Sequence, residues 1–462
     1  MSERTAARRL GALHRSIHMM ILQSDRPQRE IERRAQALSR RDLLRAAGLT
    51  GLTLALGERV LGGPLWGARV ASAQEAPRAP LFLSVHAGGG WDPTSLCDPK
   101  GRETPTAPDP VNRFAVSDIG TPSASSPIRW APMGQNAAFF EAHHDKLLVV
   151  NGVDTSTNNH NTGTRYVHSG ILEEGHPSFG ALLTATVGAA LPLGYITNGG
   201  YDITRGVVPR TRLGQLGVIN KIAEPDLDGE RPYQLEEVQA HLAEHRAARV
   251  ERLRAQRDLP RLHDSLSLLE GARGGQNELR RLKENLPNLN LLRTAIGQQG
   301  AIALAGYRSG LTAAANLSVG GFDTHGNHDV AQAGALDNLT RGVMELWAEV
   351  ERLGLEDQVL LMVTSDFGRT PRYNEGNGKD HWPITSFLFM GGGVVGNRVV
   401  GASDERFGPL TFNPDTLALD PAGVRLTPAH IHASLRARFG VDAAPVSAHY
   451  PIRERALPGL FG

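Results

Sequence analysis

Apolar residues recur along this chain in two rhythms. The first is the short apolar-rich run: Leu81-Phe82-Leu83, Leu147 to Val150, Ala315 to Val319, Val359 to Val363, and Thr385 to Met390. Such runs suit strands buried on both faces of a parallel sheet. The second is a helical step. Leu336, Leu339, Val343, Leu346, Trp347, Val350 and Leu353 fall three or four apart, and Gly354 stops them. Another helix is expected over Leu291 to Gly306. A third starts at Thr427-Pro428 with Thr427 as its cap, buries Ile431, Leu435 and Phe439, and ends at Gly440. Strands alternating with helices predict an α/β fold. Val394 to Val400 reads as a ribbon, and residues 98–130, rich in Pro, Ser, Thr and Asp, as a long surface loop. Glu, Arg, Ala and Leu dominate residues 234–286, which predict a helical insertion with solvated faces.

The chemistry-bearing residues follow the strand ends, where open α/β sheets bind ligands. The first strand runs into Gly88-Gly89-Gly90-Trp91-Asp92. This turn lacks the spacing of a dinucleotide fingerprint, and no phosphate-loop Lys-Ser/Thr follows it. The second strand leads into a polar loop that carries His160 and Arg165, with hydroxyls between them. The next delivers Gly320-Gly321-Phe322-Asp323-Thr324-His325-Gly326-Asn327-His328-Asp329, the densest cluster of ligand-type side chains in the chain. Carboxylate with imidazole suits zinc, manganese or iron better than calcium or magnesium. The strand at Val359 ends in Ser365-Asp366-Phe367-Gly368-Arg369, and Asp380-His381-Trp382 comes soon after.

Charge and cysteine usage narrow the setting. The formal net charge is +1, and no basic stripe with interleaved aromatics appears, so nucleic acid is not expected as a partner. Ser39-Arg40-Arg41-Asp42-Leu43-Leu44 precedes a mild apolar run and then Ala71-Ser72-Ala73. That order reads as a twin-arginine export signal, residues 1–73, cleaved to leave Gln74 first in a periplasmic protein of residues 74–462. The apolar run is too short to span a membrane, and no transmembrane segment is expected in the mature chain. The single cysteine, Cys97, allows no internal disulfide.

Gly-Gly-x-Asp92, Gly-Phe-Asp323-Thr-His325, Thr-Ser-Asp366-Phe-Gly-Arg-Thr-Pro, Asp380-His381-Trp382, Met-Gly-Gly-Gly393 and Val-Val-Gly-Ala-Ser-Asp404 follow one another in that order. This series resembles the bacterial family catalogued as domain of unknown function 1501, itself similar to the alkaline phosphatase and sulfatase superfamily. The resemblance implies a three-layer α/β/α sandwich of alkaline phosphatase-like type. It also implies a metal site made by Asp323, His325 or His328, and His381. Asp92 and Asp366 would hold a weaker second cation or position the nucleophile, and Arg369 would offset charge on the transferring group. Two positions depart from the superfamily pattern. The histidine expected after Asp366 is Phe367. The nucleophile expected near Asn159-His160-Asn161-Thr162 is replaced by two candidates, Thr162 and Thr157. His160 is a catalytic candidate there, or the ligand that Phe367 does not supply. The implied function is metal-dependent hydrolysis of a small phosphate or sulfate ester. The alternative is a non-catalytic envelope protein that keeps the metal and binds a protein partner. Phe367 and the missing nucleophile favour that alternative.

Overall fold

The structure, a computed structural model, describes residues 79–189, 191–213, 227–228, 231–256, 259, 262, 266 and 279–461. The expected leader, residues 1–73, and Gln74 lie outside the described residues. Strands β1 (Leu81–Ala87), β2 (Leu147–Asp154), β3 (Tyr195–Thr197), β4 (Ala314–Val319), β5 (Val359–Ser365), β6 (Ile384–Gly391) and β7 (Arg398–Val400) form one sheet in the order β7-β2-β6-β5-β1-β4-β3. Pairing is parallel for β1 with β4 and β5, β3 with β4, and β7 with β2. Only β6 runs against its neighbours, β2 and β5.

Alternation along the central strand divides the core in two, because successive side chains point to opposite faces. Leu81, Leu83 and Val85 pack on one face with residues from three helices. These are α1 (Asn136–His143), α6 (Ala295–Arg308) and α7 (His328–Arg352). Phe82 packs on the other face with Val167 of α2 (His160–Ser169), Leu182 of α3 (Phe179–Val187) and Ile431 of α8 (Pro428–Arg438). Helices therefore cover both faces, and the chain is a three-layer α/β/α sandwich. Within the 234–286 stretch, α4 (Glu236–Gln256) and α5 (Leu279–Asn285) are helical. Among the described residues no helix is long and apolar enough to cross a membrane.

The expected strands recur with modest extensions. Val394 to Val400 differs: only Arg398–Val400 is a strand, and it pairs parallel with β2 as the sheet edge. Thr427 also differs. It precedes α8, but its hydroxyl turns to Nδ1 of His430 at 2.9 Å instead of capping the helix backbone. Pro428 at the first helical position, whose missing N–H needs no partner, sets the start without it. The longest helix among the described residues, α7, begins without a side-chain cap. Its first N–H groups are met by the loop after β5: Asn327 donates to the Gly376 carbonyl at 3.2 Å and His328 to Asn377 at 2.9 Å. That loop thereby becomes fixed against the sheet's carboxyl edge.

Candidate metal centre

Four loops meet at this edge, and two glycines set how closely. Gly89 follows β1 at φ 117°, and a β carbon there would stand 2.5 Å from the Asp323 amide nitrogen. Gly163 on α2 lies so near β5 that its β carbon would be 2.3 Å from the Asp366 carbonyl oxygen. Asn159 caps α2 by accepting from the Thr162 amide at 3.1 Å, which places His160 at the helix's first position, over the end of β5. Replacing Gly163 by alanine should push α2 outward and draw His160 away from Asp366. The expected result is a protein of near-normal secondary structure by circular dichroism with weakened metal affinity by titration.

The loops bring together His160, Asp323, His325 and His381. One ligand atom from each of His160, Asp323 and His381 lies within 4.8 Å of the other two. His325 Nε2 stands 2.9 Å from His381 Nε2 and 3.0 Å from Asp323 Oδ1. His381 Nε2 is 3.3 Å from the same oxygen, and His160 Nε2 is 3.7 Å from Asp323 Oδ2. The group opens to solvent: the Asp323 side chain is 51% exposed.

The partners of the other ring nitrogens assign the protons. His381 Nδ1 lies 2.8 Å from the Asn158 carbonyl, which can only accept. His160 Nδ1 lies 2.6 Å from Asp366 Oδ2, and His325 Nδ1 2.9 Å from Asp380 Oδ1. Both carboxyls are ionised acceptors. Burial would raise the Asp366 carboxyl, but His86 and His160 outweigh it and hold it well below the usual range. The hydrogen bond from His325, with that from Asn374, lowers Asp380. All three imidazoles thus carry their proton on Nδ1 when neutral. In that form their Nε2 lone pairs face one another and a carboxylate. Two acceptors at 2.9 Å repel unless a proton or a cation lies between them. Outer partners on Nδ1 and free Nε2 atoms are the usual pattern of histidine metal ligands. Three imidazoles and a carboxylate fit a transition metal better than a hard cation.

Asp323 is itself held in place. Burial would raise its carboxyl, but the Arg369 guanidinium outweighs this and lowers it. Arg369 is fully buried. It donates to Gly90 and Lys379 carbonyls at 2.7 and 3.0 Å, to the Gly89 carbonyl, and to Asp323 Oδ1 at 2.7 Å. With every nitrogen engaged by the protein, Arg369 holds Asp323 from beneath. Phe367 is fully buried too, with its ring centroid 4.9 Å from that of His160 and 4.5 Å from that of His381. It is the floor on which the two imidazoles rest.

The structure does not bring Asp92 or His328 into this group. Asp92 is fully buried. Its Oδ1 accepts from the Thr94 amide at 2.9 Å and hydroxyl at 2.6 Å. Its Oδ2 meets Lys379 Nζ at 2.6 Å, His328 Nε2 at 2.9 Å and Ser95 Oγ at 3.1 Å. The other nitrogen of His328 faces the Thr324 hydroxyl at 2.7 Å. Every lone pair of that carboxylate is committed to the protein, so Asp92 and Asp366 do not form the shared second cation site that the sequence suggested. Thr162 donates its amide to Asn159, and its hydroxyl lies 3.5 Å from Arg165 Nη2. Thr157 engages the loop, accepting at its hydroxyl from the Asn159 amide at 3.2 Å. Among the described residues no hydroxyl or thiol is hydrogen-bonded to His160, Asp323, His325 or His381. Cys97 is buried, and burial pushes its thiol far up.

Sequence reasoning did not single out His86, Asn158 or Lys379. Asn158 contributes only its backbone carbonyl, which leaves no side-chain signal. Lys379 looks like any loop lysine until the fold buries it. His86 did leave a trace: with Ser84 it makes a polar alternation inside an otherwise apolar strand.

No curated protein matches the chain. Among solved structures it is similar to a Bacteroides thetaiotaomicron protein of glycosaminoglycan metabolism, at 10% identity and a TM-score of 0.36 over 83% of this chain and 76% of that one. It is similar to the PsFucS1 sulfatase from Pseudoalteromonas, at 12% and 0.30 over 71% and 66%. A TAB5 alkaline phosphatase mutant with magnesium bound gives 11% and 0.29 over 68% and 92%. Scores this low assign no function, and the fold stands on the strand order above. The family comparison reaches further, since the match over residues 202–457 takes in three of the four converging side chains, Asp323, His325 and His381. It covers more than half of the chain, which belongs to the family described as "Protein of unknown function (DUF1501)".

Proposed function

We propose that the chain is an exported, metal-dependent hydrolase of a phosphate or sulfate ester. One observation carries the metal: Nε2 of His160, His325 and His381 and the Asp323 carboxylate converge, while each imidazole is held at Nδ1 by an outer acceptor. His160, Asp323, His325 and His381 would hold a divalent transition metal. When bound, such an ion polarises an ester oxygen and lowers the pKa of a water. The chain's own residues prepare the site. Asp366, Asp380 and the Asn158 carbonyl fix the imidazole tautomers, Arg369 fixes Asp323, and Phe367 keeps water from beneath. The open upper side leaves room for a substrate, as in catalytic metal sites. With no hydroxyl or thiol hydrogen-bonded to the group among the described residues, water is the nucleophile of choice. The ester class rests on the motif resemblance, and export on Arg40-Arg41 and the Ala71-Ser72-Ala73 site.

A second reading has its own support. Among the described residues no side-chain nucleophile is hydrogen-bonded to the group, and that, with the full engagement of Arg369, suits a metal-holding envelope protein that binds a partner. Assay of nitrophenyl phosphate, nitrophenyl sulfate and a panel of natural esters, with zinc or manganese restored, separates the two. The hydrolase reading expects metal-dependent turnover that falls at least about 100-fold in Asp323→Ala, beyond the range seen for outer-sphere changes. Stoichiometric metal with no turnover of any ester would leave the partner-binding reading.

A further inference from the structure

His86 lies on the central strand, 4% exposed, below the metal group and apart from it. Its Nε2 stands 2.8 Å from Asp366 Oδ1. The other oxygen, Oδ2, takes the proton of His160 Nδ1 and accepts from the Gly89 amide at 3.2 Å. No aligned hydrogen bond reaches Oδ1, so among the described residues His86 is its only polar support. The backbone of His86 is held on both sides, in register with Thr364 of β5 and Ser318 of β4. His168, 2% exposed, lies behind it with ring centroids 5.0 Å apart, and burial holds that imidazole well below its usual pKa. Gly200 closes the space above: a β carbon there would be 2.9 Å from His168 Nε2 and 3.3 Å from His86 Cβ.

We propose that His86 is a positioning residue for the metal centre, acting on His160 through the bridging carboxylate of Asp366. Asp366 can rotate about its own side chain, and if its oxygens exchange places the hydrogen bond to His160 is lost. His86 blocks that rotation from a rigid strand. The imidazole of His160 then keeps its proton on Nδ1 and presents Nε2 to Asp323. Outer partners of histidine ligands typically change metal affinity about 10–100-fold when removed. This inference rests on the reading of His160 as a metal ligand, so its test includes a readout that needs no metal.

The variants are His86→Gln, whose amide nitrogen falls near the place of Nε2, and His86→Leu, which keeps volume without a donor. Long-range 15N–1H spectra of the metal-free protein report the tautomer of His160. Competition with a chelator reports zinc affinity, and the cobalt-substituted protein reports ligand geometry by its visible spectrum. Thermal unfolding of the metal-free forms reports the fold. Expected are one His160 tautomer, near-normal affinity and an unchanged cobalt spectrum in His86→Gln. In His86→Leu the tautomer should become mixed, zinc affinity should fall 10–100-fold and the cobalt spectrum should shift. A single Nδ1–H tautomer in folded His86→Leu overturns the proposal, whether or not metal binds. A mixed tautomer in a protein that binds no metal upholds the positioning role and overturns the metal reading alone. If His86→Leu does not fold, loss of the tautomer, affinity or cobalt spectrum in folded His86→Gln supports the role, and retention of all three with Asp366→Asn also unchanged overturns it.

Discussion

Replacing Lys379 by methionine should cost about 3–5 kcal/mol of folding stability, the usual penalty for leaving half of a buried ion pair behind. Lys379 and Asp92 both have fully buried side chains, and the ammonium lies 2.6 Å from Oδ2. Lys379 also donates to Asn112 Oδ1 at 2.8 Å. The pair joins the turn after β1 to the loop that carries Asp380 and His381. Burial would raise the Asp92 carboxyl, but Lys379 and His328 outweigh it and hold it far below its usual value. A carboxyl depressed on folding adds stability that is fully present above the unfolded value of about 4 and is lost as pH falls toward the folded one. Urea unfolding of the parent chain should therefore show stability declining below about pH 4. Asp92→Asn should flatten that decline while lowering stability at neutral pH. An unchanged midpoint in Lys379→Met would show that the pair does not hold the loop.

His381→Ala and Asp323→Ala should each reduce metal affinity by more than the roughly 100-fold expected of an outer partner, and leave the fold intact. Both side chains lie on the open side of the group, 22% and 51% exposed, so truncation uncovers little core. Asp323→Ala removes one acceptor from Arg369, which retains three backbone carbonyls. Calorimetric titration with zinc checks both variants, and circular dichroism checks the fold. Full affinity in either would remove that residue from the ligand set.

Much of the fold was legible because its signals are local. The unbroken apolar run at Val359 became the buried β5, and the three-and-four step from Leu336 became α7. The stretch at Tyr195–Thr197 is too short to show a period, and it is a strand because β4 offers it one edge and Thr211 bridges the other. Of the site, Asp323, His325 and His381 announced themselves as ligand types freed by glycines at strand ends. Their grouping with His160 depended on Gly163, which lets α2 approach β5. The roles of Asp92 and His328 were not legible. A carboxylate after a strand reads the same whether it faces a cation or a buried lysine, and Lys379 lies far along the chain. Phe367 was read as the loss of a ligand. It is that, and its ring also supports the two imidazoles that remain.

The central claim is that His160, Asp323, His325 and His381 form one tight transition-metal site. Elemental analysis of the purified protein after exhaustive dialysis tests it most directly. One equivalent of zinc, manganese or iron per chain, lost in His381→Ala, is the expected result. No retained metal, or one equivalent that survives in both His381→Ala and Asp323→Ala, would contradict it.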